Sequence, residues 1–486
     1  MLVTGATGYV GGRLAPRLVE EGHEVRGMTR SASRLRDVPW AARAEIVEAD
    51  VLDSGRLAAA LEGVEVAYYL VHSIPTGKDF TETDRRAAQT FVGCARAAGV
   101  RRIVYLGGMA GDDADASQHL SSRAEVGTIL LDSGVPTIVL QAAVIVGSGS
   151  ASFEMLRYLT ERLPVMLTPR WVRTRVQPIA IRDVLRYLAG AATIPLEVSG
   201  RFDIAGPDVL TYSDMMQRYA AVAGLRRRII VPVPILSPAL SSHWINLVTP
   251  VPGAIAKPLV RSLVTEVVAR DREIARWVPT PTHELLGFDD SVRLALENIR
   301  EDDVETRWST AAWPGAPSDP FPTDPPWSGG SVFKDVRETT VAVPADRLWS
   351  TVIGIGGERG WYSYPFLWKV RGLLDRLLGG VGLRRGRRDR EALYVGDALD
   401  FWRVEEVEPG RLLRLRAEMR LPGLAWLEWR LEPVDGDRTR FVQRAYYAPH
   451  GLLGHAYWWA VAPFHAFVFG SMLRNIADAA VAAAPR

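Results

Sequence analysis

The 486-residue sequence predicts an α/β chain in two parts. The first is a doubly wound parallel sheet over residues 1–150 that continues into a mixed segment over 151–312. The second, beyond a linker at 313–330, is a smaller α+β domain over 331–486. Three observations predict this. A run of glycines stands directly behind an apolar stretch at the N-terminus. Strand-like and helix-like patterns then alternate to about residue 145, the signature of a parallel sheet covered on both faces. After WPGAPSDPFPTDPPWSGG (313–330), where Pro, Gly and Ser density defeats both helix and strand, the pattern changes to alternating apolar and polar strands.

The opening stretch MLVTGATGYVG sets Gly5, Gly8 and Gly11 at G-x-x-G-x-x-G spacing behind Met1-Leu2-Val3, and an apolar-striped helix (Val10, Leu14, Leu18) follows. Strand, glycine turn, helix is the context in which such glycines mean something. The first permits a tight turn with φ > 0. The second admits a pyrophosphate without a Cβ in the way, and the third lets helix and strand pack closely. The helix start offers N–H groups and a positive dipole end to phosphates. Thr7, Tyr9 and Val10, between the glycines, complete the predicted cradle. A second strand is expected over 23–28, a third with its exit over 44–53, a fourth over 64–73, a fifth over 101–110 and a sixth over 136–147, with a helix from Asp84 to Ala98.

Cofactor choice follows from the second strand. NAD-specific folds place Asp or Glu at its end, to hold the ribose 2′-OH. Here it runs into Met28-Thr29-Arg30-Ser31 with Arg34 beyond, and no carboxylate stands at its tip. A guanidinium suits a 2′-phosphate, so Arg30 and Arg34 favour NADP(H) over NAD(H); the alternative is two solvated surface charges.

The mixed segment reads as helix (SFEMLRYLTERLPV), strand into helix (VQPIAIRDVLRYLAGA), and strand, turn, helix (GRFDIAGPDVLTYSDMMQRYAAVAG). The apolar, proline-rich run 229–260 is too interrupted to span a membrane; it reads as a lid packed on its own domain, or a surface resting on a ligand or membrane. Past Val332 come a strand and a helix, a helical run over 361–380, four strands that alternate apolar and polar residues, and a terminal segment without a charge from Gly451 to Leu473. Pro463, His455 and His465 argue against a membrane span there. Trp361, Tyr362, Trp368, Trp402, Trp426, Trp429, Trp458 and Trp459 are candidate pocket walls, though core packing accounts for them equally.

The wording TGATGYVG resembles the short-chain dehydrogenase/reductase superfamily in its extended or atypical (NmrA-like) branch. The resemblance implies that Asp50 and Val51 contact adenine and that Leu70, Val71 and His72 border the nicotinamide ribose. His72 could serve as a catalytic imidazole or simply satisfy backbone groups. Classical members carry Ser or Thr after the fifth strand and Tyr-x-x-x-Lys on the next helix. Here the strand ends in Leu106-Gly107-Gly108, and His119-Leu120-Ser121-Ser122-Arg123 stands where Tyr-x-x-x-Lys would. His119 and Arg123 keep that spacing, one turn apart on one helix face. Three readings stay open: His119 as general acid with Arg123 holding the ribose; a hydroxyl from Ser121, Ser122 or elsewhere; or nucleotide binding without hydride chemistry. The second part is similar in pattern to the START-like helix-grip fold, in which a curved sheet grips a terminal helix around a cavity for a hydrophobic small molecule. The two together resemble a bacterial family of two-part proteins.

Bulk composition narrows the field. Hydrophobic residues at 48%, charged residues at 23% and a net charge of +2 suit a globular protein and offer no case for nucleic acid. The single cysteine, Cys94, excludes an internal disulfide, and the scattered histidines suggest no metal site. Without a signal-like N-terminus, the expected location is cytoplasmic, with peripheral membrane contact as an alternative for the terminal helix. The run Arg384-Arg385-Gly386-Arg387-Arg388-Asp389-Arg390 reads as a solvated loop or a phosphate clasp. The expected activity is NADPH-dependent reduction or isomerisation of a lipophilic quinone-, isoprenoid- or polyketide-like compound. The alternative is a non-catalytic NADP(H)-binding sensor or assembly factor with a ligand-binding tail.

Overall fold

The computed structural model describes residues 1–35, 38–72, 80–109, 118–233, 263–279, 285–302, 331–364, 393–435 and 437–482, with Leu259 and a few positions between 366 and 375. The expected linker 313–330, most of the apolar run 229–260 and the arginine run 384–390 lie outside these residues. The chain divides into two compact units, Met1–Gly330 and Ser331–Arg486.

In the first unit, β1 (Leu2–Thr4) leads through the glycine turn into α1 (Gly11–Glu20). There follow β2 (Arg26–Thr29), β3 (Glu45–Glu48), α2 (Ser54–Leu61), β4 (Val66–Tyr69), α3 (Phe80–Ala97), β5 (Arg102–Gly108), α4 (Gln118–Leu131) and β6 (Thr137–Ala142). Strands β4, β5 and β6 are buried at every position, as a sheet covered on both faces requires. Together with β11 (Gly200–Ile204) they form a seven-stranded sheet in the order β11-β6-β5-β4-β1-β2-β3, and every pairing is parallel. Strand order reverses between β1 and β4, so the crevice at their carboxyl ends is where ligands bind in such sheets.

All five strands from β2 to β6 are shorter than expected, and two of them for a structural reason. Gly22 takes φ +88° and ends α1, so His23 to Val25 serve as the return to the sheet and β2 begins at Arg26. The sixth strand breaks at Ala142, because β7 (Ile145–Val146) leaves the sheet to pair with β10 (Ile179–Ala180). Around this branch lie α5 (Ala151–Arg162), β8 (Val165–Thr168), β9 (Arg175–Val176), α6 (Ile181–Ala191), β12 (Leu210–Thr211), α7 (Tyr212–Val222), β13 (Ile229–Pro232) and α8 (Phe288–Asp302). The start of α7 is a capping box, with Thr211 and Asp214 each accepting from the other's backbone N–H.

In the second unit, β14 (Phe333–Val341) and α9 (Ala345–Val352) precede β15 (Ala398–Leu399), β16 (Trp402–Glu408), β17 (Leu412–Ala417), β18 (Gly423–Asp435) and β19 (Arg438–Pro449). These make an antiparallel sheet in the order β14-β19-β18-β17-β16-β15. Alternation along the strands sends Leu413, Leu415, Leu427, Trp429 and Phe441 into one core with Leu348 and Val352 of α9. The chain closes with α10 (Gly451–Ala482), whose Phe469, Met472 and Ile476 enter that core. Its 32 residues run about 48 Å. Among the described residues, no helix is long and apolar enough to cross a membrane.

Candidate active site

The glycine turn is built as its spacing requires. Gly5 takes φ +66°, and a Cβ there would meet the Leu70 carbonyl at 3.0 Å. The Gly8 N–H donates to the Gly5 carbonyl at 2.8 Å. A Cβ on Gly11 would strike that same carbonyl. The turn is therefore closed by backbone alone, with Gly8 exposed at its tip. No side chain caps α1, and no acidic residue stands in its first turn. The positive dipole end of α1 is thus left without a side-chain cap or a carboxylate, and these residues fit a pyrophosphate. Thr7, Tyr9 and Val10 are half-buried around the turn.

Sequence reasoning missed what holds this turn from behind. Arg13 is buried in the first turns of α1 and donates to the Tyr9 carbonyl at 3.1 Å and the Ser148 carbonyl at 3.4 Å. Its guanidinium lies 4.2 Å above the Tyr9 ring. A Cβ on Gly147 would collide with the Tyr9 hydroxyl, so the β7–α5 turn is shaped to the glycine turn. The one available signal was a charged residue inside the apolar stripe of α1.

Arg30 and Arg34 are exposed past the end of β2. The structure corrects one expectation here. A carboxylate does stand at the tip of β2, brought in from β3: Glu48 accepts the Ala32 N–H at 3.0 Å. Strand pairing, not sequence distance, put it there. Asp50 turns its carboxylate to the Leu52 N–H at 2.9 Å. Val51 is buried in the core beside Leu57 and Leu61.

Where the resemblance places the nicotinamide, the ends of β4 and β5 lie side by side, with α4 against β5. Thr4 ties the first of these to β1, donating to the Tyr68 carbonyl and accepting from the Leu70 N–H, each at 2.9 Å. Leu70, Val71 and His72 are half-buried beyond it. The His72 ring meets the Tyr105 ring edge-on at 5.8 Å. The Tyr105 hydroxyl donates to the Arg123 carbonyl at 3.2 Å, and burial raises its pKa far above the ordinary phenol value. Tyr105 therefore keeps its proton and braces α4. A Cβ on Gly108 would meet Leu120 Cδ2 at 3.0 Å and Arg123 Cδ at 3.5 Å, so the glycine end of β5 is what lets Arg123 lie over it.

Arg123 is half-buried. Desolvation lowers its pKa, opposed by Tyr105 and the carboxylate of Asp84. His119 and Arg123 both stand on α4, four residues apart; the side chain of His119 lies outside the described residues. Of the alternative hydroxyls, Ser122 is turned away: buried, it donates to Asp84 of α3 at 3.1 Å. Ser121 is exposed. Among the described residues, no group of His, Cys, Asp and Glu could hold a metal ion.

The second unit contains a cavity of about 370 Å³ between the sheet and α10. Trp368, Trp402, Trp426 and Trp458 line it, with Phe464 and Phe469 of α10. The other predicted wall residues divide otherwise. Trp361 and Trp429 are core, their indole N–H groups held by Asp400 and Gln443 at 2.8 and 2.9 Å. Trp459 is exposed, and Tyr362 packs against the core at φ 52°.

The parallel sheet, its order and the backbone-closed turn define a dinucleotide-binding protein. Residues 5–135 match the NAD(P)H-binding family model, and residues 327–472 match a family of unknown function designated DUF2867. The chain is 31% identical over 231 residues to the (4-alkanoyl-5-oxo-2,5-dihydrofuran-3-yl)methyl phosphate reductase of Streptomyces griseus, covering 46% of this chain and 74% of that one. It is 25% identical over 300 residues to the ceramide reductase of Caulobacter vibrioides, covering 60% and 92%. An NADPH-dependent quinone oxidoreductase of Escherichia coli, solved with NADPH, superimposes with TM-score 0.48 at 18% identity, covering 60% and 98%. The chain belongs to the NAD(P)H-binding reductase family of the atypical short-chain dehydrogenase/reductase type.

Proposed function

We propose that the chain is an NADPH-preferring reductase of a lipophilic small molecule that carries a carbonyl or a conjugated carbonyl. The observation that carries this is the carboxyl edge of the sheet, where Leu70–His72, the Gly107–Gly108 end of β5 and Arg123 close on one side of the glycine turn. Two relatives support the substrate class by their names. One acts on an alkanoyl-bearing unsaturated lactone phosphate, the other on ceramide. Exposed Arg30 and Arg34 support the preference for the 2′-phosphate. We read the second unit as a helix-grip domain whose aromatic cavity takes an apolar ligand or the apolar part of the substrate. NAD(P)H is an intracellular reductant, so we assign the protein to the cytoplasm; the exposed Leu453, Trp459 and Phe467 of α10 would allow contact with a membrane surface.

Purified full-length protein, NADPH and a panel of long-chain enones, quinones and ketones test the reading, with loss of NADPH absorbance as the signal. Turnover of at least one acyl-bearing substrate is expected. The absence of Ser, Tyr and Lys at the usual positions favours a second reading, a non-catalytic NADP(H) sensor or assembly factor. Calorimetric binding of NADPH without turnover of any panel member would decide for it.

A further inference from the structure

Arg123 is a guanidinium held at the site without a carboxylate of the described residues in ion-pair contact; the Asp84 carboxylate acts on it only at longer range. Among the described residues it forms no ion pair, and its Nε is buried without a hydrogen-bond partner. A half-buried cation in that state is costly unless a ligand supplies negative charge. Its place is also maintained: Gly108 gives it room, Leu120 flanks it, and the Tyr105 hydroxyl fixes the α4 backbone at Arg123 itself.

Chemistry limits what such a group can do. A guanidinium does not give up its proton near neutral pH, so Arg123 can hold an oxyanion but cannot protonate one. Reduction of a simple ketone produces an alkoxide, too basic to persist without a proton delivered as it forms. Reduction of a conjugated C=C produces an enolate, far less basic, which an ion pair can stabilise. Among the described hydroxyls beside Arg123, Tyr105 is committed to its carbonyl and Ser122 to Asp84.

We propose that Arg123 is an oxyanion-holding residue and that the preferred substrates are α,β-unsaturated carbonyl compounds, reduced at the C=C bond. This rests on the reductase reading above. NAD(P)H, when bound, supplies the hydride that forms the C–H bond at the β carbon, the C=C and C=O π pairs shifting to leave the charge on oxygen, and its oxidation to NAD(P)⁺ balances the two-electron reduction. Arg123 pairs with that oxygen by charge-assisted hydrogen bonds. The α carbon then takes a proton from solvent water, which leaves as hydroxide and restores the carbonyl.

The test needs no turnover. p-Nitrophenol, whose phenolate absorbs apart from the phenol, mimics the enolate oxygen. It is titrated against pH with excess full-length protein, with and without NADP⁺. Wild type is expected to lower the apparent phenol pKa by about one unit, a tenfold shift in ionisation. Arg123→Lys should keep part of that shift. Arg123→Met should lose it while NADP⁺ affinity stays within about threefold, less than the tenfold that 1.4 kcal/mol represents. A wild-type chain that leaves the phenol unmoved overturns the assignment, and so does an unchanged shift in Arg123→Met. Loss of NADP⁺ binding in Arg123→Met with the shift retained also overturns it, marking a ribose clamp. With an enal as substrate, the saturated aldehyde is expected, and an allylic alcohol would refute the proposal. A chain that shifts the phenol yet turns over nothing leaves the oxyanion site standing and removes the reductase reading instead.

Discussion

Single atoms decide the nucleotide turn. A methyl group at Gly11 has no free direction, because the Gly5 carbonyl occupies it, and the turn must open to admit one. Gly11→Ala is expected to weaken NADPH binding by about 100-fold, ~2.7 kcal/mol, measured by calorimetry, and to lower the melting point of the first unit. Gly5→Ala adds the left-handed penalty of roughly 1–2 kcal/mol to its approach to Leu70. These residues were legible because each glycine answers a local backbone demand. Arg13 and Glu48 were not, since their partners, Ser148 and Ala32, are 135 and 16 residues away. Glu48 also sharpens a prediction about Arg30 and Arg34. If their guanidinium groups select the 2′-phosphate, the double Arg→Ala variant should lose about tenfold or more in NADPH affinity, ~1.4 kcal/mol, and almost nothing in NADH affinity. Equal losses for both nucleotides would count against that selection.

At the scale of elements, pattern was read well and partnership poorly. Strand-like patterns alternating with helical ones announced β4, β5 and β6, and apolar–polar alternation announced β16 to β19. What alternation could not say is how the polar face of that antiparallel sheet is held. Glu428 of β18 sits between Arg414 of β17 and Arg444 of β19 in register. Arg414 donates to it at 2.7 and 3.0 Å, Arg430 at 3.2 Å, and Arg444 lies 3.6 Å away. Glu428 and Arg414 are both buried. Cross-strand pairs of opposite charge normally contribute a few tenths of a kcal/mol up to about 1 kcal/mol. A buried carboxylate serving three guanidinium groups is a different case, because its removal takes the shared partner from all three, although Arg414 keeps Glu406. Glu428→Ala should cost about 3–5 kcal/mol in denaturant unfolding of the second unit, whereas Glu338→Ala, at the exposed pair with Arg440, should cost less than about 1 kcal/mol. Similar losses at the two sites would show that burial is not what makes Glu428 matter.

For the molecule as a whole, the two units should answer to different chemical signals. NADPH binds the first, so saturation at 100 times Kd should stabilise that unit by about 2.7 kcal/mol and leave the second where it was. Acid should do the reverse. His465 stands on α10 with its ring edge-on to Trp458 and Phe469 at 4.7 Å each, and its Nδ1 is buried without a hydrogen-bond partner. Desolvation, reinforced by the Arg337 cation and opposed by the Asp335 carboxylate, pulls its pKa from 6.5 down to about 4. A depressed folded pKa means that the unfolded chain takes up the proton first. Stability is therefore complete above about pH 6.5 and declines as pH falls toward 4, by at most about 3 kcal/mol. A calorimetric scan of the full chain at pH 7 and pH 4.5, with and without NADPH, separates the two effects. His465→Phe fills the same aromatic niche without a titrating nitrogen and should flatten the acid response of the second unit while leaving the NADPH shift of the first intact. One transition that moves with both signals would mean that the units unfold together, and would contradict the independence on which this prediction rests.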